Sequence, residues 1–233
     1  MAKSLAKRFY QDVTVEPSDD GWCVLLDGRQ VRTPGKMKLT LPNEALAKVV
    51  AAEWDAQTDK IDPSTMPVTR LVNVASEQTP TRRDDLIEEA VRYAGTDLIC
   101  YRATQPRILQ ERQAAAWDDW RDWGAEQGVD LKITESLTAL EQPEASLRAV
   151  ASYADELDDL KLTLFVHLIA VYGSVVLAMA VIQRALDPRT AFDVSRVDNA
   201  YQIEHWGEDE AQAEIDAALR TETITLANLV EIL

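Results

Sequence analysis

The feature that most restricts the fold of this chain is a stretch of uncharged residues at 162–182, LTLFVHLIAVYGSVVLAMAVI. Its 21 residues are enough for a transmembrane helix. A helix buried on all sides within a helical domain has the same composition. His167 near the middle, the Gly173-Ser174 pair and the lack of an aromatic belt at the ends favour burial in a protein core, because polar groups are costly inside a bilayer. We therefore predict one buried central helix at 159–186 and no membrane insertion.

The N-terminal part of the chain has the short, alternating pattern of β-strands. Four segments are rich in β-branched or aromatic residues and are separated by turn residues: FYQDVTVEP, GWCVLLDG, RQVRTP and MKLTLP. Asp27-Gly28 follows the second segment, and this dipeptide favours the type I′ turn of a tight hairpin. The sequence therefore predicts a small antiparallel sheet.

Helical periodicity replaces the strand pattern after Pro42. In NEALAKVVAAEWDAQ, Leu46, Val50 and Trp54 recur at intervals of four residues. After Pro106 the pattern is helical except in the segment VDLKITESL at 129–137. The helices predicted there are 106–127, 143–157, 159–186, 193–219 and 223–232.

These patterns predict an α+β protein with two domains. A small, antiparallel β-rich domain with one helix occupies residues 1–62, because a proline-rich connector follows at 62–67. A larger, all-helical domain built around the apolar central helix occupies residues 63–233. An alternative boundary lies near residue 100.

The charge of the chain restricts its partners. It has 24 Lys and Arg against 40 Asp and Glu, a formal net charge of −16. A surface this negative repels phosphate backbones and anionic lipids, so we expect no nucleic-acid partner. Cys23 and Cys100 both lie in apolar runs and are too few for a disulfide framework, which predicts buried thiols in a reducing compartment. The start of the sequence, MAKSLAKRFYQDV, lacks the apolar core of a secretory signal and does not resemble a long transit peptide.

The motifs of common catalytic sites are absent from the sequence. It has neither G-x-G-x-x-G nor a phosphate-binding loop, and neither cysteine has neighbouring ligands with zinc-site spacing, so we expect no cofactor and no metal. Histidine is the usual general base near neutral pH. One alternative function is therefore a small-molecule enzyme of unknown class with His205 as base and Glu204 or Glu208 as its partner.

The segment NAYQIEHWGEDE at 199–210 combines aromatic residues with a run of acids. On a helical wheel, Tyr201 shares an apolar stripe with Val197 and Ile215, while Trp206 lies on the opposite side. Either this helix is sandwiched between two layers, or Trp206 is exposed among carboxylates as the anchor of an interface. The wheel alone leaves both interpretations open.

Three stretches together resemble a known family. The segment RFYQDVTVEPSDDGWCVLLDGRQVRTPGKMKLTLP followed by ALAKVVAAEWDAQ is similar to the N-terminal signature of the assembly chaperone for the α subunit of F-type ATP synthase. YAGTDLICYRA at 93–103 is similar to the middle motif of that family, and YQIEHWG at 201–207 to its C-terminal motif. The family occurs in mitochondria and α-proteobacteria, and the resemblance spans nearly the whole chain in the same order.

The resemblance implies which residues contact the client protein. The matching positions are Glu53, Trp54, Asp97, Tyr201, Gln202, Trp206 and Gly207. The chain departs from the family pattern at Asn199-Ala200, where we expect acidic residues in many relatives. If a carboxylate there contacts the client, a neighbour such as Asp198 or Glu204 has to take that role.

The resemblance also implies the function. We predict an ATP-independent, client-specific chaperone that binds the unassembled α subunit and prevents its aggregation until it pairs with β. Such a subunit exposes apolar surface that associates wrongly, and a holdase needs no ATP if the true partner displaces it by competition. We expect a monomer without enzymatic activity, in the bacterial cytoplasm or, in a eukaryote, in the mitochondrial matrix.

Overall fold

The computed structural model describes residues 5–136, 138 and 140–233, which form a small sheet followed by helices. The sheet has three antiparallel strands in the order β1-β2-β3: Val13–Ser18, Gly21–Leu26 and Arg29–Gln30. The α-helices of the described residues are α1 Glu44–Asp55, α2 Pro67–Glu77, α3 Thr79–Gly95, α4 Arg107–Glu126, α5 Glu144–Glu156, α6 Asp159–Tyr172, α7 Val175–Ile182, α8 Pro188–Val194, α9 Val197–Trp206 and α10 Glu210–Ala227. Short 3₁₀ helices occupy Pro63–Thr65, Leu98–Cys100 and Asn228–Glu231. The predicted α+β class is confirmed.

The hairpin between β2 and β3 forms as the sequence predicts. Asp27 and Gly28 have φ values of 47° and 76°, the positive angles that a type I′ turn requires. The Asp27 carboxylate accepts hydrogen bonds from the N–H groups of Gln11 and Asp12 at 3.0 and 2.9 Å, which lower its pKa. The fourth predicted segment, MKLTLP, forms only the isolated bridges Arg32–Lys38 and Trp22–Leu41 among the described residues.

Contacts within the chain divide it into two compact units. The first contains the residues up to Arg82 together with Glu231–Leu233, and the second contains Arg83–Val230. Helix α3 passes from one unit to the other and has non-helical backbone angles at Arg82. These units are defined by contacts, whereas the boundary predicted after residue 62 separates domains that fold independently. That boundary stays a prediction.

The last residues of the chain belong to the first unit through the N-cap of α1. The Asn43 side chain accepts a hydrogen bond from the N–H of Leu46 at 2.9 Å, which satisfies one free donor of the first turn. Its Nδ2 atom donates to the carbonyl of Ile232 at 2.7 Å. One side chain therefore fixes both the start of α1 and the returning C-terminal segment.

The predicted single central helix at 159–186 is wrong, because the apolar run forms two helices, α6 and α7. Gly173 ends α6 in the left-handed conformation, with φ 67° and ψ 14°, and Ser174 is extended. The Ser174 hydroxyl accepts a hydrogen bond from the N–H of Leu177 at 3.1 Å and so caps α7. Residues 175–181 are all buried in the second unit. No helix of the described residues is both long and apolar enough to cross a membrane.

The predicted helix at 193–219 is also wrong, because this region forms the end of α8, all of α9 and part of α10. Gly207 ends α9 with φ 87° and ψ 164°, which no helix tolerates. Asp209 then starts α10, where its side chain accepts from the N–H of Gln212 at 3.0 Å. The apolar stripe that was predicted to join Tyr201 to Ile215 is therefore interrupted.

The segment predicted as non-helical at 129–137 contains an isolated parallel bridge. Thr134 pairs with Tyr101 and donates its N–H to the carbonyl of Cys100 at 2.8 Å. The last residue of this prediction, Leu137, lies outside the described residues. Cys23 and Cys100 are both buried, and burial raises the pKa of the Cys100 thiol to about 12.

Candidate functional site

The C-terminal motif YQIEHWG forms most of α9, which lies beside α4 in the second unit. Tyr201 is the buried residue of this helix, and its neighbours Gln202, Ile203, Glu204 and Trp206 are exposed. This pattern arises because α9 is only ten residues long and packs against the protein along one side. The helix therefore presents most of the predicted client-contacting side chains to solvent.

Arg112 of α4 holds α9 in position through two contacts. Its Nη2 atom donates to Oε1 of Glu204 at 3.2 Å, and Nη1 bonds to the other carboxylate oxygen. Its guanidinium carbon also lies 5.6 Å from the centre of the Tyr201 ring. The hydrogen bonds from Arg112 lower the pKa of Glu204. Because both ionic groups are accessible to solvent, this pair orients the helix more than it stabilises the fold.

A second contact between α4 and α9 lies deeper. The Gln113 side chain is buried and donates its Nε2–H to Oδ1 of Asp198 at 2.8 Å. Asp198 is one of the two acids proposed to replace the carboxylate that is missing at Asn199-Ala200. Its position beside Gln113 makes it a fixed acceptor at the start of α9.

Trp206 is the most exposed aromatic residue of the described chain, with 77% of its surface accessible. It lies at the last position of α9, and Gly207 follows with its N–H bonded to the carbonyl of Ile203 at 2.9 Å. A Cβ atom at Gly207 would meet no atom within 4 Å, so the glycine is required by its positive φ and not by close packing. The structure thus resolves the two interpretations of the wheel for this residue: the Trp206 side chain is at the surface.

Two cavities in the second unit share Trp206 and Gln202 as lining residues. The larger has a volume of 340 Å³ and lies between α9 and the segment before α4; it is lined by Tyr101, Arg102, Ala103, Gln105, Pro106, Leu109, Gln113, Glu135, Ser136, Asp198, Tyr201, Gln202 and Trp206. The smaller has a volume of 270 Å³ and lies between α9 and α10; it is lined by Asn199, Gln202, Ile203, Trp206, Gly207, Glu208, Asp209, Gln212, Ala213 and Asp216. The Trp206 indole therefore stands between two concave surfaces.

His205 is not a lining residue of either cavity. Its side chain is exposed, its Nδ1 atom lies 2.8 Å from the carbonyl oxygen of Tyr201, and its ring lies over the Tyr201 ring at 4.0 Å. A general base requires a concave substrate site within hydrogen-bonding distance. Neither of these cavities provides one for His205. The described residues also contain no group of three or more His, Cys, Asp or Glu that could hold a metal ion.

Glu53 lies in the first unit, where it performs a structural task. Its Oε1 atom accepts from the N–H of Val68, and Oε2 accepts from both the N–H and the hydroxyl of Thr69, all at 2.7 Å. These N–H groups belong to the first turn of α2, which has no side-chain cap of its own. Glu53 therefore caps α2 from α1. Direct contact between Glu53 and a client stays a prediction.

Trp54 is half-buried in the same unit. Its ring packs edge-on against Tyr10, with ring centres 5.8 Å apart, and its carbonyl accepts a hydrogen bond from the Tyr10 hydroxyl at 2.7 Å. This packing gives Trp54 a part in the stability of the first unit.

Asp97 is completely buried at the break between α6 and α7. Its Oδ2 atom accepts from the N–H groups of Val175 and Val176 at 2.7 and 3.3 Å, and Oδ1 accepts from Ile99 at 3.2 Å. Burial raises the pKa of Asp97 to about 6, although hydrogen bonds to its carboxylate, that of Ser174 foremost, act in the opposite direction. The carboxylate therefore ties the middle motif to the start of α7.

The structure thus brings together five of the eight predicted residues, Tyr201, Gln202, Glu204, Trp206 and Gly207, and places the others elsewhere. It also adds residues to the surface that sequence reasoning missed: Arg112, Tyr101, Leu109 and Asp216. Tyr101 had a signal, since it lies within the motif YAGTDLICYRA. Arg112 had none, because nothing near it in sequence indicates that it pairs with Glu204, 92 residues away.

Comparisons with known proteins agree with this arrangement of motifs. The model of a family described as ATP12 chaperone protein matches residues 7–125, just over half of the chain. The mitochondrial protein atp12 of Schizosaccharomyces pombe is 21% identical over 223 residues, which cover 90% of this chain and 77% of that protein. The crystal structure of Atp12 from Paracoccus denitrificans is 39% identical, with a TM-score of 0.90 over 97% of both chains. The Atu1473 protein of Agrobacterium tumefaciens is 35% identical, with a TM-score of 0.91 over 97% of this chain and 86% of that one.

The family model and the solved structures support each other. The family model matches the N-terminal half, and the similarity to the solved structures extends over almost the whole chain. The resemblance found in the sequence motifs is therefore confirmed. This chain belongs to the ATP12 chaperone family.

Proposed function

We propose that this protein is an assembly chaperone of F-type ATP synthase that binds the unassembled α subunit without ATP, and that the exposed side of α9 is its docking surface. The observation that carries the proposal is the exposure of Trp206 beside two cavities in the family's C-terminal motif. A tryptophan in such a position exposes a large apolar area to water. Burial of this area by a partner makes a favourable contribution to the binding free energy. Family membership supports the chaperone role.

The surface around Trp206 has the composition of a protein interface. Ile203 adds apolar area at 40% exposure, and Tyr201 and Gln202 lie below it on α9. Glu204, Glu208 and Asp209 form a polar rim. An apolar centre with a polar rim is the usual anatomy of a binding surface. A client held this way leaves by competition, because the β subunit covers the same kind of apolar surface on α.

In this proposed role the protein binds its client as a monomer and has no catalytic activity. The bacterial cytoplasm is its proposed location, or the mitochondrial matrix if the source is a eukaryote. His205→Gln is the variant that distinguishes the chaperone function from the enzymatic alternative, in which His205 is the general base. It is expected to protect the α subunit as well as the unchanged chain does, because His205 lies outside both cavities.

The test is a measurement of light scattering while denatured α subunit from the same organism is diluted into buffer. Equimolar chaperone is expected to suppress the scattering to the same extent with and without ATP. Trp206→Ala is expected to reduce this protection by about tenfold at equal concentration, as loss of a central anchor does.

Phe9→Ala is the matched control, because Phe9 is 71% exposed but lies in the first unit. It is expected to retain full protection. Equal losses from both variants would contradict a docking surface on α9 and would indicate a general effect of exposed aromatic area. Full protection by a folded Trp206→Ala variant would also contradict it.

A further inference from the structure

The smaller cavity beside Trp206 has an unusual charge for an apolar surface. We call it the acidic groove, and it is the 270 Å³ cavity lined by residues of α9, α10 and the turn between them. Three of its ten lining residues are carboxylates, Glu208, Asp209 and Asp216, and none is Lys or Arg. Ile203, Trp206 and Ala213 give it an apolar floor. The groove therefore combines one sign of charge with apolar contact area.

The segment that lines the groove has no basic residue of its own, and Arg196 at the start of α9 is a neighbouring cation that interacts electrostatically with Asp216. Residues 198–216 contain seven Asp and Glu and no Lys or Arg. Arg112 approaches α9, but its guanidinium is bonded to Glu204, which does not line the groove. Like charges at such a density repel one another and raise the local negative potential. An incoming cation relieves that repulsion.

The carboxylates are positioned by the local fold. Oδ1 of Asp209 accepts from the N–H of Gln212 at 3.0 Å as the N-cap of α10, and Oδ1 of Asp216 accepts from the Gln212 side chain at 2.9 Å. Each carboxylate keeps a second oxygen that can accept from a ligand. Because one glutamine links both acids, their spacing is held by α10.

Trp206 adds a second recognition element for a cation. The indole is the most favourable aromatic ring for a cation–π contact. A lysine or arginine lying over it remains close to the carboxylates of the turn. The aliphatic part of the same side chain packs on Ile203, since long basic side chains bury their stems on apolar surfaces.

We propose that the acidic groove binds a basic, amphipathic segment of the client, with a lysine or arginine over Trp206 and an adjacent apolar side chain against Ile203 and Ala213. This inference rests on the proposed function, because it names the client segment that docks on α9. The groove joins carboxylates to apolar side chains, which matches the basic and apolar side chains of an amphipathic peptide. Nucleic acid and anionic lipid are repelled by the same carboxylates.

The test measures fluorescence anisotropy of three labelled synthetic peptides with the full-length chain. The first peptide is an amphipathic sequence of Lys and Leu, the second replaces each Lys with Glu, and the third keeps Lys but replaces each Leu with Ser. The first is expected to bind most tightly. Its dissociation constant is expected to rise by about tenfold between about 0.05 M and about 0.5 M salt, because salt screens exposed charges.

A neutralised groove is the decisive variant. Glu208→Gln, Asp209→Asn and Asp216→Asn together remove three charges and keep the side-chain shapes, and Asn still caps α10. This triple variant is expected to weaken binding of the Lys-Leu peptide by about tenfold and to remove most of its salt dependence. Trp206→Ala is expected to weaken binding to a similar degree, and Trp206→Phe less.

The matched control changes the net charge equally outside the groove. Asp119→Asn, Glu126→Gln and Glu156→Gln are exposed positions on α4 and α5 of the same unit. This variant is expected to bind the Lys-Leu peptide within about twofold of the unchanged chain, because screened charges at a distance contribute little. Circular dichroism of both triple variants verifies their folding.

The outcomes distinguish this inference from the proposed function. Equal binding of the Glu-Leu peptide, or unchanged binding by the neutralised groove, overturns the inference. If the α subunit is protected from aggregation while either of these results holds, the proposed function stands and the groove is not its cationic site. If the Lys-Leu peptide binds as expected but the α subunit is not protected, the groove stands and the proposed client is wrong.

Discussion

Trp206 and Asp97 lie at opposite extremes of burial among the residues that the family resemblance singles out. Trp206 makes little contact with its own chain and is available to a partner. Asp97 is entirely buried, and its carboxylate accepts hydrogen bonds from the N–H groups of Ile99, Val175 and Val176. The sequence motifs of one family therefore contain both residues at the surface and residues enclosed in the fold, and burial separates them.

Asp97→Asn tests this structural role through its pH dependence. The pKa of Asp97 is raised to about 6 in the folded chain, compared with about 3.9 for an unfolded chain. The folded state thus holds the proton more tightly, so this group's stabilisation is complete below about pH 4 and is lost as pH rises through about 6. Relative to the Asn variant, the unchanged chain is expected to lose about 3 kcal/mol across that interval.

The measurement is urea unfolding of both chains at a series of pH values. Subtracting the two curves removes the contribution of the other carboxylates, which the two chains share. The exposed Asp119→Asn serves as the control, and its curve is expected to run parallel to that of the unchanged chain. Parallel curves for Asp97→Asn as well would contradict a raised pKa at this site.

The two family tryptophans are expected to differ in their effect on stability. Trp54→Ala removes a half-buried ring packed on Tyr10 and is expected to lower the free energy of unfolding by about 2–4 kcal/mol. Trp206→Ala removes an exposed ring and is expected to change it by less than about 0.5 kcal/mol. Denaturant titration of both variants checks this. A large loss of stability in Trp206→Ala would show that its ring packs against the protein in solution.

At the scale of secondary-structure elements, helix ends decide the architecture of the second unit. Gly173 and Ser174 divide the apolar run, and Gly207 with Asp209 separates α9 from α10. In both places a residue with positive φ ends one helix and a polar side chain caps the next. The exposed position of Trp206 is a direct result of the second break.

Gly173→Ala tests the importance of the first break. A Cβ atom at Gly173 would lie at an ordinary distance of 3.6 Å from Cβ of Leu98, so the cost arises from the left-handed backbone alone. This variant is expected to lose about 1 kcal/mol of stability. Gly95→Ala is the matched control, since Gly95 ends α3 without a positive φ and with open space around it. It is expected to be neutral or slightly stabilising when both are compared by thermal unfolding.

Local signals explain which elements could be predicted from the sequence. The hairpin was predictable because Asp27-Gly28 fixes its own turn, and α4 and α5 agree with prediction to within one residue at each end, since Pro106 and Pro143 precede them. The break at Gly173 had the same kind of local signal. It was outweighed by the continuous apolar pattern, because hydrophobic periodicity carries no information about a change of helix direction within a fully buried run.

The candidate site was less predictable because its contacts are distant in sequence. The C-terminal motif pointed to α9 by resemblance, but the wheel assumed an unbroken helix and left the position of Trp206 open. The bonds from Val175 and Val176 to Asp97 span 78 and 79 residues, and no local pattern indicates them. Burial of a polar side chain is a tertiary property, and its sequence signature is weak.

At the scale of the whole molecule, the net charge of −16 is unevenly distributed along the chain. The segment 198–216 contributes seven of the acids and no base. A negative surface accelerates encounter with basic partners and keeps a complex with an aggregation-prone client in solution. Charge thus complements the apolar contact that we propose for Trp206.

The proposed complex of this protein with the α subunit is expected to dissociate when the β subunit is added and to be unaffected by ATP. The reason is mass action, because β competes for the apolar surface of α that the chaperone covers. Size-exclusion chromatography of the three proteins checks this, and the same columns report whether the chaperone alone is a monomer. Retention of α on the chaperone in the presence of excess β would contradict release by competition.

The bond between Asn43 and Ile232 has a consequence for how the protein is made. The ribosome completes the strands and α1 first, but the final piece of that unit, Glu231–Leu233, emerges only after all of the second unit. At about 5–20 residues per second, the nascent N-terminal unit waits roughly 7–30 s for its missing segment. If translation stalls in this interval, the sheet and α1 are complete but Ile232 is absent. The Asn43 side-chain amide then donates to water instead of to the Ile232 carbonyl.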